Sequence, residues 1–219
     1  MMLALSLIYW AGPGGAAASA HPLVTPELLL DAVSAGPSPC TRAAPAVAAN
    51  ESGYLVVWTH GNGSGDITRA SVYAARVDPN GVLLDPEGIL VSTIAGEQTV
   101  CAVAANPGMF LVAWTAPHGT SATDWDILGV RITSAGVILD SAPLPICTLS
   151  SIQNSPAVAA NGENFLVTWR DSLLTSINGT IVATDGSLST TNGIPLLNGS
   201  FDQYTPAVAA LGTNYLVVA

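Results

Sequence analysis

Residues 156–171 read PAVAANGENFLVTWRD, and the phrase recurs along the chain. It stands as PAVAANESGYLVVWTH from Pro45, as CAVAANPGMFLVAWTA from Cys101, and begins again from Pro206 as PAVAALGTNYLVV. The alanine in second place is Ala46, Ala102, Ala157 and Ala207, giving spacings of 56, 55 and 50 residues. An aromatic follows eight positions later at Tyr54, Phe110, Phe165 and Tyr215, and Trp58, Trp114 and Trp169 close the first three copies. Self-similarity at a fixed period of this length marks an array of supersecondary units.

Each unit reads as four short strands. AVAA and YLVVW, joined across Asn, Gly and Ser, form a tight hairpin. The third strand is VYAARV, ILGVRI or INGTIV, followed by the turns Asp78-Pro79-Asn80-Gly81, Ser134-Ala135-Gly136 and Asp185-Gly186. A fourth, GILVST or its counterpart, ends the unit, and no segment carries an extended helical period. Four antiparallel strands in about 50 residues describe a β-propeller blade. The small Ala and Val of the first strand suit the crowded axis. A parallel β-helix competes, but its rungs are shorter and lack such hairpins.

The expected architecture is therefore all-β and propeller-like, with an incomplete ring. Full blades span 44–99, 100–154 and 155–204; a signal peptide occupies 1–20, tail strands 21–43, and a truncated blade 205–219. The LLLD of residues 28–31 repeats the VLLD at 82–85 and the VILD at 137–140, so the mature chain begins on the tail of a blade. Three blades do not close a ring of four to eight. The chain thus reads as the N-terminal piece of a longer protein, with unpartnered apolar faces at both ends and a tendency to self-associate.

Composition narrows the partners. Half of the 219 residues are apolar (49%) and 9% are charged, which excludes a disordered chain. Lysine is absent, and 5 arginines face 15 carboxylates for a net charge of −10. Nucleic acid and anionic lipid surfaces are poor partners for that balance. The start, MMLALSLIYWAGPGGAAASAHP, has an apolar run over 3–10 and an A-x-A site at Ala18-Ser19-Ala20, before His21. It lacks a basic segment, because no Lys or Arg precedes Arg42, and it is too short to span a bilayer. Cys40, Cys101 and Cys147 show no zinc-ligand spacing and suit small apolar positions. An oxidising compartment would allow one disulfide among them, whose pairing the spacing leaves open.

Chemistry is sparse. The repeated tryptophans read as packing between blades, and Gln98, Gln153 and Gln203, four before each repeat alanine, as groups that satisfy backbone at the junctions. Arg76 and Arg131 are expected to pair with carboxylates, and Asp78, Asn80 and Gly81 to form a turn. No calcium-loop pattern, nucleophile motif or phosphate loop occurs, so no catalytic residue, metal or cofactor is assigned. The variable part lies between the tryptophan and the third strand, with steps of 14, 13 and 8 residues. His60, Asp66 and Arg69 gather there in copy one, His118, Asp124 and Asp126 in copy two, and Arg170 and Asp171 in copy three. These loops and the blade-junction loops share one face of a propeller, so His60, Asp66, His118, Asp124, Asp126 and Asp171 are the binding candidates. Plain solvated loops are the competing reading. The Trp125-Asp126 dipeptide is expected in the loop as well.

Units of the form PAVA-x-N-G-x-x-YLVVW, an Asp-rich loop, G-x-R-V and G-x-V-L-D resemble tandem repeats of large secreted or surface proteins of bacteria. The resemblance covers 22–219 and implies a propeller-like fold and an exported location, without a particular reaction. In such a chain the sequons at Asn50, Asn62, Asn178 and Asn198 carry little weight. Copy three departs from the pattern, with Ile181 in the place of Arg76 and Arg131 and Thr190 in that of Asp85 and Asp140. The expected function is non-enzymatic binding, adhesion or scaffolding at the bacterial surface, with carbohydrate or another surface protein as partner. The alternative is part of a secreted propeller-type polysaccharide hydrolase, which needs two carboxylates within about 5–10 Å. Scattered, fully solvated Asp66, Asp124, Asp126 and Asp171 would exclude it.

Overall fold

A computed structural model describes residues 42–61, 70–92, 98–119, 121, 123–198 and 203–219. The signal peptide, most of the tail segment, Cys40, Asp66 and Arg69 lie outside these residues. Among the described residues the structure is strand and turn, without helix.

The first sheet holds β1 (Arg42–Asn50), β2 (Gly53–Gly61), β3 (Ala70–Val77) and β4 (Ile89–Ser92), antiparallel and paired in chain order. The second repeats it with β5 (Thr99–Asn106), β6 (Met109–Pro117), β7 (Trp125–Thr133) and β8 (Leu144–Cys147). The third uses β9 (Gln153–Ala160), β10 (Asn164–Asp171), β11 (Ser176–Ala183) and β12 (Ile194–Leu197). A hairpin of β13 (Ala207–Leu211) and β14 (Asn214–Val218) follows. The phrase that repeats in sequence is thus the first hairpin of each sheet. In the first sheet Gly53 closes this hairpin at φ +126°, where a Cβ would strike the Val77 carbonyl.

β1 packs beside β5, β5 beside β9 and β9 beside β13, so the Ala/Val strands gather along one line as the innermost strands of a propeller-like array. Between sheets the contact is asymmetric. Leu55, Val57, Val72 and Ala74 of the first sheet meet Phe110, Val112, Trp114 and Ile132 of the second. Leu111, Ala113, Ile127 and Ile146 of the second meet Phe165, Val167, Trp169 and Val182 of the third. At both seams the earlier sheet therefore offers an aliphatic face and the later one a face that carries the aromatic rings. Trp114 and Trp169 are fully buried between sheets, and Trp58, 3% exposed, is buried on the outer face of the first sheet. Removing such a side chain would cost about 3–5 kcal/mol.

Polar groups tie the same seams. Asn50 donates from Nδ2 to the Asn106 carbonyl (3.1 Å), and Gly162 N–H donates to Asn106 Oδ1 (2.8 Å), linking three hairpins in series. Arg76 forks onto Asp85 (2.8 Å at both Nε and Nη2) and extends Nη1 to the Ser134 carbonyl of the next sheet. Arg131 does the same with Asp140 and the Thr184 carbonyl (2.7 Å). The third sheet breaks the series: Thr180 Oγ1 donates to the Thr190 carbonyl (2.8 Å), and no guanidinium stands at Ile181.

Both end faces were expected to lack partners, and the structure separates them. On the outer face of the first sheet Val56, Trp58, Ala75 and Val77 are buried (0–3% exposed) and form a cluster of their own. At the other end Leu216, equivalent to the fully buried Leu55 and Leu111, is 68% exposed, with Leu211 at 86% and Val218 at 52%.

Candidate functional site

The ladder between β6 and β7 runs well past Trp114, pairing Ala116 with Asp126 and Pro117 with Trp125. Backbone pairing rather than side-chain polarity decides where a strand stops. Trp125-Asp126 therefore opens β7 instead of lying in a loop, His60 belongs to β2, and Asp171 ends β10. Of the binding candidates, His118 and Asp124 remain on a connecting loop.

Four of the six candidates converge at the seam between the second and third sheets. Asp126 is 6% exposed and accepts a hydrogen bond from His118 Nδ1 at 2.9 Å. The His118 N–H donates to the Asp124 carbonyl (2.9 Å), closing the connection between β6 and β7. The linker to β9 threads through this corner: Ser151 N–H donates to Asp124 Oδ1 (3.0 Å), while the Ser151 carbonyl accepts from Trp125 N–H (3.0 Å). One residue on, the Ile152 carbonyl accepts from Ser172 N–H (2.9 Å). Ser151 Oγ donates to Asp171 Oδ1 (3.2 Å) and accepts from Gln153 Nε2 (2.8 Å). Asp171, 2% exposed, also takes the N–H groups of Leu173 (3.0 Å) and Leu174 (3.1 Å) on Oδ1, which shapes the turn into β11.

The electrostatics of the corner follow from burial. Desolvation pushes the Asp126 carboxyl upward; the His118 hydrogen bond and charge oppose it, and Asp124 adds to it. Burial, reinforced by the charges of Asp171 and Asp126, pushes the Cys147 thiol up to about 11. Cys147 thus sits in the field of both carboxylates as a neutral thiol. Two buried polar atoms of this seam, Gln153 Oε1 and Trp169 Nε1, have no hydrogen-bond partner. Among the described residues no group of three or more His, Cys, Asp or Glu side chains converges as a metal cage.

The remaining described candidate stands apart. His60 belongs to the first sheet, its ring 5.4 Å from that of Tyr73, outside this network. The reading of wholly solvated loops fails at Asp126 and Asp171, which the strands carry into the seam. Gln153 bonds the Ser151 hydroxyl rather than backbone, a correction to its expected role. Cys101 and Cys147 are both buried, and no disulfide links them to each other. Ser151 escaped the sequence reading: it lies in a junction linker with no motif around it, and only the threading of that linker brings it to Asp171.

No family model and no curated protein sequence matches the chain. Its structure is similar to the parainfluenza virus 5 hemagglutinin-neuraminidase ectodomain, with TM-score 0.57 and 10% identity over 82% of this chain. It is also similar to the GH43_1 enzyme of Xanthomonas citri complexed with xylose (0.54, 12% identity, 80% of this chain). A Hadza microbial sialidase is a third (0.52, 13% identity, 78% of this chain). The chain spans 50%, 65% and 37% of those three proteins. At such identities the likeness establishes the propeller fold alone. It nonetheless overturns the expectation of a non-enzymatic adhesion or scaffold module, because the structures that share this architecture are those of carbohydrate-active proteins.

Proposed function

We propose that the chain is part of a propeller glycoside hydrolase acting on polysaccharide, with its acid–base groups at the seam of the second and third sheets. The observation that carries this reading is the pair of buried carboxyls, Asp126 and Asp171, drawn into one corner around Ser151 and Cys147. Glycoside hydrolysis needs one carboxyl held protonated and another held as the carboxylate. Burial favours the protonated Asp126, which gives its proton to the glycosidic oxygen as the C–O bond breaks. Asp171, its Oδ1 occupied by Ser151 and two main-chain N–H groups, presents Oδ2 to the water that adds to the anomeric carbon and takes that water's proton.

The test is hydrolysis of aryl xylosides, arabinofuranosides and sialosides, together with soluble polysaccharides, by the purified chain. Asp126→Asn and Asp171→Asn should each lower kcat about a hundredfold or more while leaving circular dichroism unchanged. Absence of hydrolysis across the panel, or folded variants with the parent rate, would overturn the assignment.

A further inference from the structure

The slot of Asp126 departs from the repeat. It stands two residues before Leu128, the cross-strand partner of Trp114, and the same step from the partners of Trp58 and Trp169 leads to Ser71 and Ser176. Two sheets fill the slot with a hydroxyl, so the blade itself does not require a carboxyl there. A histidine accompanies the departure. His118 lies on the connection that follows β6, and its Nδ1 stands 2.9 Å from Asp126 Oδ2 and 3.2 Å from Oδ1. The main chain fixes the base of that side chain on both sides. The His118 N–H donates to the Asp124 carbonyl (2.9 Å), and the His118 carbonyl accepts from Ser121 N–H (3.0 Å).

The two partners differ in their access to water. Side-chain exposure is 53% for His118 and 8% for Asp126. One imidazole nitrogen therefore sits on a buried carboxyl while more than half of the side chain meets solvent. Asp124, Asp171 and Cys147 are the other described ionisable groups whose charges or hydrogen bonds enter this corner, and burial keeps the Cys147 thiol neutral. A buried acid that surrenders its proton in every turnover has to recover it before the next. Direct delivery by water is impeded at 8% exposure, whereas imidazole passes protons between water and a carboxylate near neutral pH.

We infer that His118 is the positioning residue of Asp126 and the route by which its proton returns. This rests on the hydrolase reading above. After the glycosidic oxygen has taken the Asp126 proton, the Nδ1 proton of His118 passes to the Asp126 carboxylate as Nε2 takes a proton from solvent. The ring stays neutral throughout. Exchange with water then removes the Nε2 proton and restores one at Nδ1. Asp171 meanwhile releases to solvent the proton it took from the attacking water, so each turnover consumes none. A purely structural role, in which His118 only ties the connection to β7, predicts no response of turnover to a soluble proton carrier.

The test is steady-state hydrolysis by the whole chain of the glycoside it cleaves fastest in the panel above, with and without added imidazole. His118→Ala should lower kcat about tenfold or more at unchanged KM, and its kcat should rise with imidazole concentration. His118→Gln keeps a hydrogen-bond donor for Asp126 and fills the space, so it should hold the parent's unfolding midpoint while kcat stays low. Imidazole should leave the rates of the parent and of Asp126→Asn unchanged. Parent kcat in either His118 variant, or a loss in His118→Ala that imidazole does not restore, would overturn the relay and leave the hydrolase reading standing. A parent chain that cleaves nothing in the panel would overturn both.

Discussion

Asp126 and Asp85 show how one residue type acquires opposite titration behaviour from its surroundings. Burial dominates at Asp126 and raises its pKa above the ordinary 3.8; the hydrogen bond from Arg76 dominates at Asp85 and lowers it below the same value. A carboxyl with a raised folded pKa contributes stability that is fully present below 3.8 and lost as pH rises through the higher value. One with a lowered folded pKa contributes above 3.8 and loses that contribution as pH falls through the lower value. Urea denaturation of Asp126→Asn should therefore show a stability relative to the parent that improves from acid to neutral pH. Asp85→Asn should do the reverse, costing about 1–2 kcal/mol at neutral pH and progressively less in acid. Parallel pH profiles for the two variants would contradict both assignments.

At the scale of the element, the unit is a sheet whose third strand carries a clamp. Arg131 is held by Asp140 behind it and reaches the Thr184 carbonyl ahead of it, with side-chain exposures of 13% and 6% for the ion pair. Losing either partner leaves a largely buried charge without compensation, at about 3–5 kcal/mol. The third sheet shows that the slot also accepts an uncharged pair, Ile181 with Thr190. Arg131→Ile and Asp140→Thr should each destabilise strongly, while the double substitution should cost less than either alone. A double-mutant cycle by chemical denaturation measures this, and strict additivity would show that the ion pair contributes nothing as a pair. The inner strands carry a second device. Val100 (φ 44°) and Ser155 (φ 53°) sit where the register slips against β6 and β10. Each bulge re-aims the start of its inner strand, and the second lies beside Gln153 and Ser151.

Across the whole molecule, the last hairpin is the exception to the packing scheme. Its inward Tyr215 donates to the Asn164 carbonyl (3.0 Å), but Leu211, Leu216 and Val218 face outward at 86%, 68% and 52% exposure. The same leucine is buried wherever a following sheet covers it. An apolar sheet face beside an unpaired edge promotes association despite a charge of −10. Light scattering should find the chain self-associating at micromolar concentration, and Leu216→Lys should shift it toward monomer. A monomeric parent, indifferent to that substitution, would show the face to be inert.

The 56- and 55-residue periods, the alternation of aliphatic and aromatic residues and the turn glycines were enough to determine the blade, its strand order and the burial of its tryptophans. These features depend on local pairing and on side-chain size, which every copy of the phrase states again. The pairing of Arg76 and Arg131 with aspartates followed from the same repetition. The corner at Asp126 was decided only by tertiary structure. His118, Asp126, Ser151 and Asp171 come from two sheets and the linker between them, and no spacing in the chain announces their meeting. The sequence also placed Asp126 and Asp171 in solvated loops, because polar residues after a tryptophan look like loop. Backbone pairing carried the strands further and buried both carboxyls, and that burial raises the pKa of Asp126.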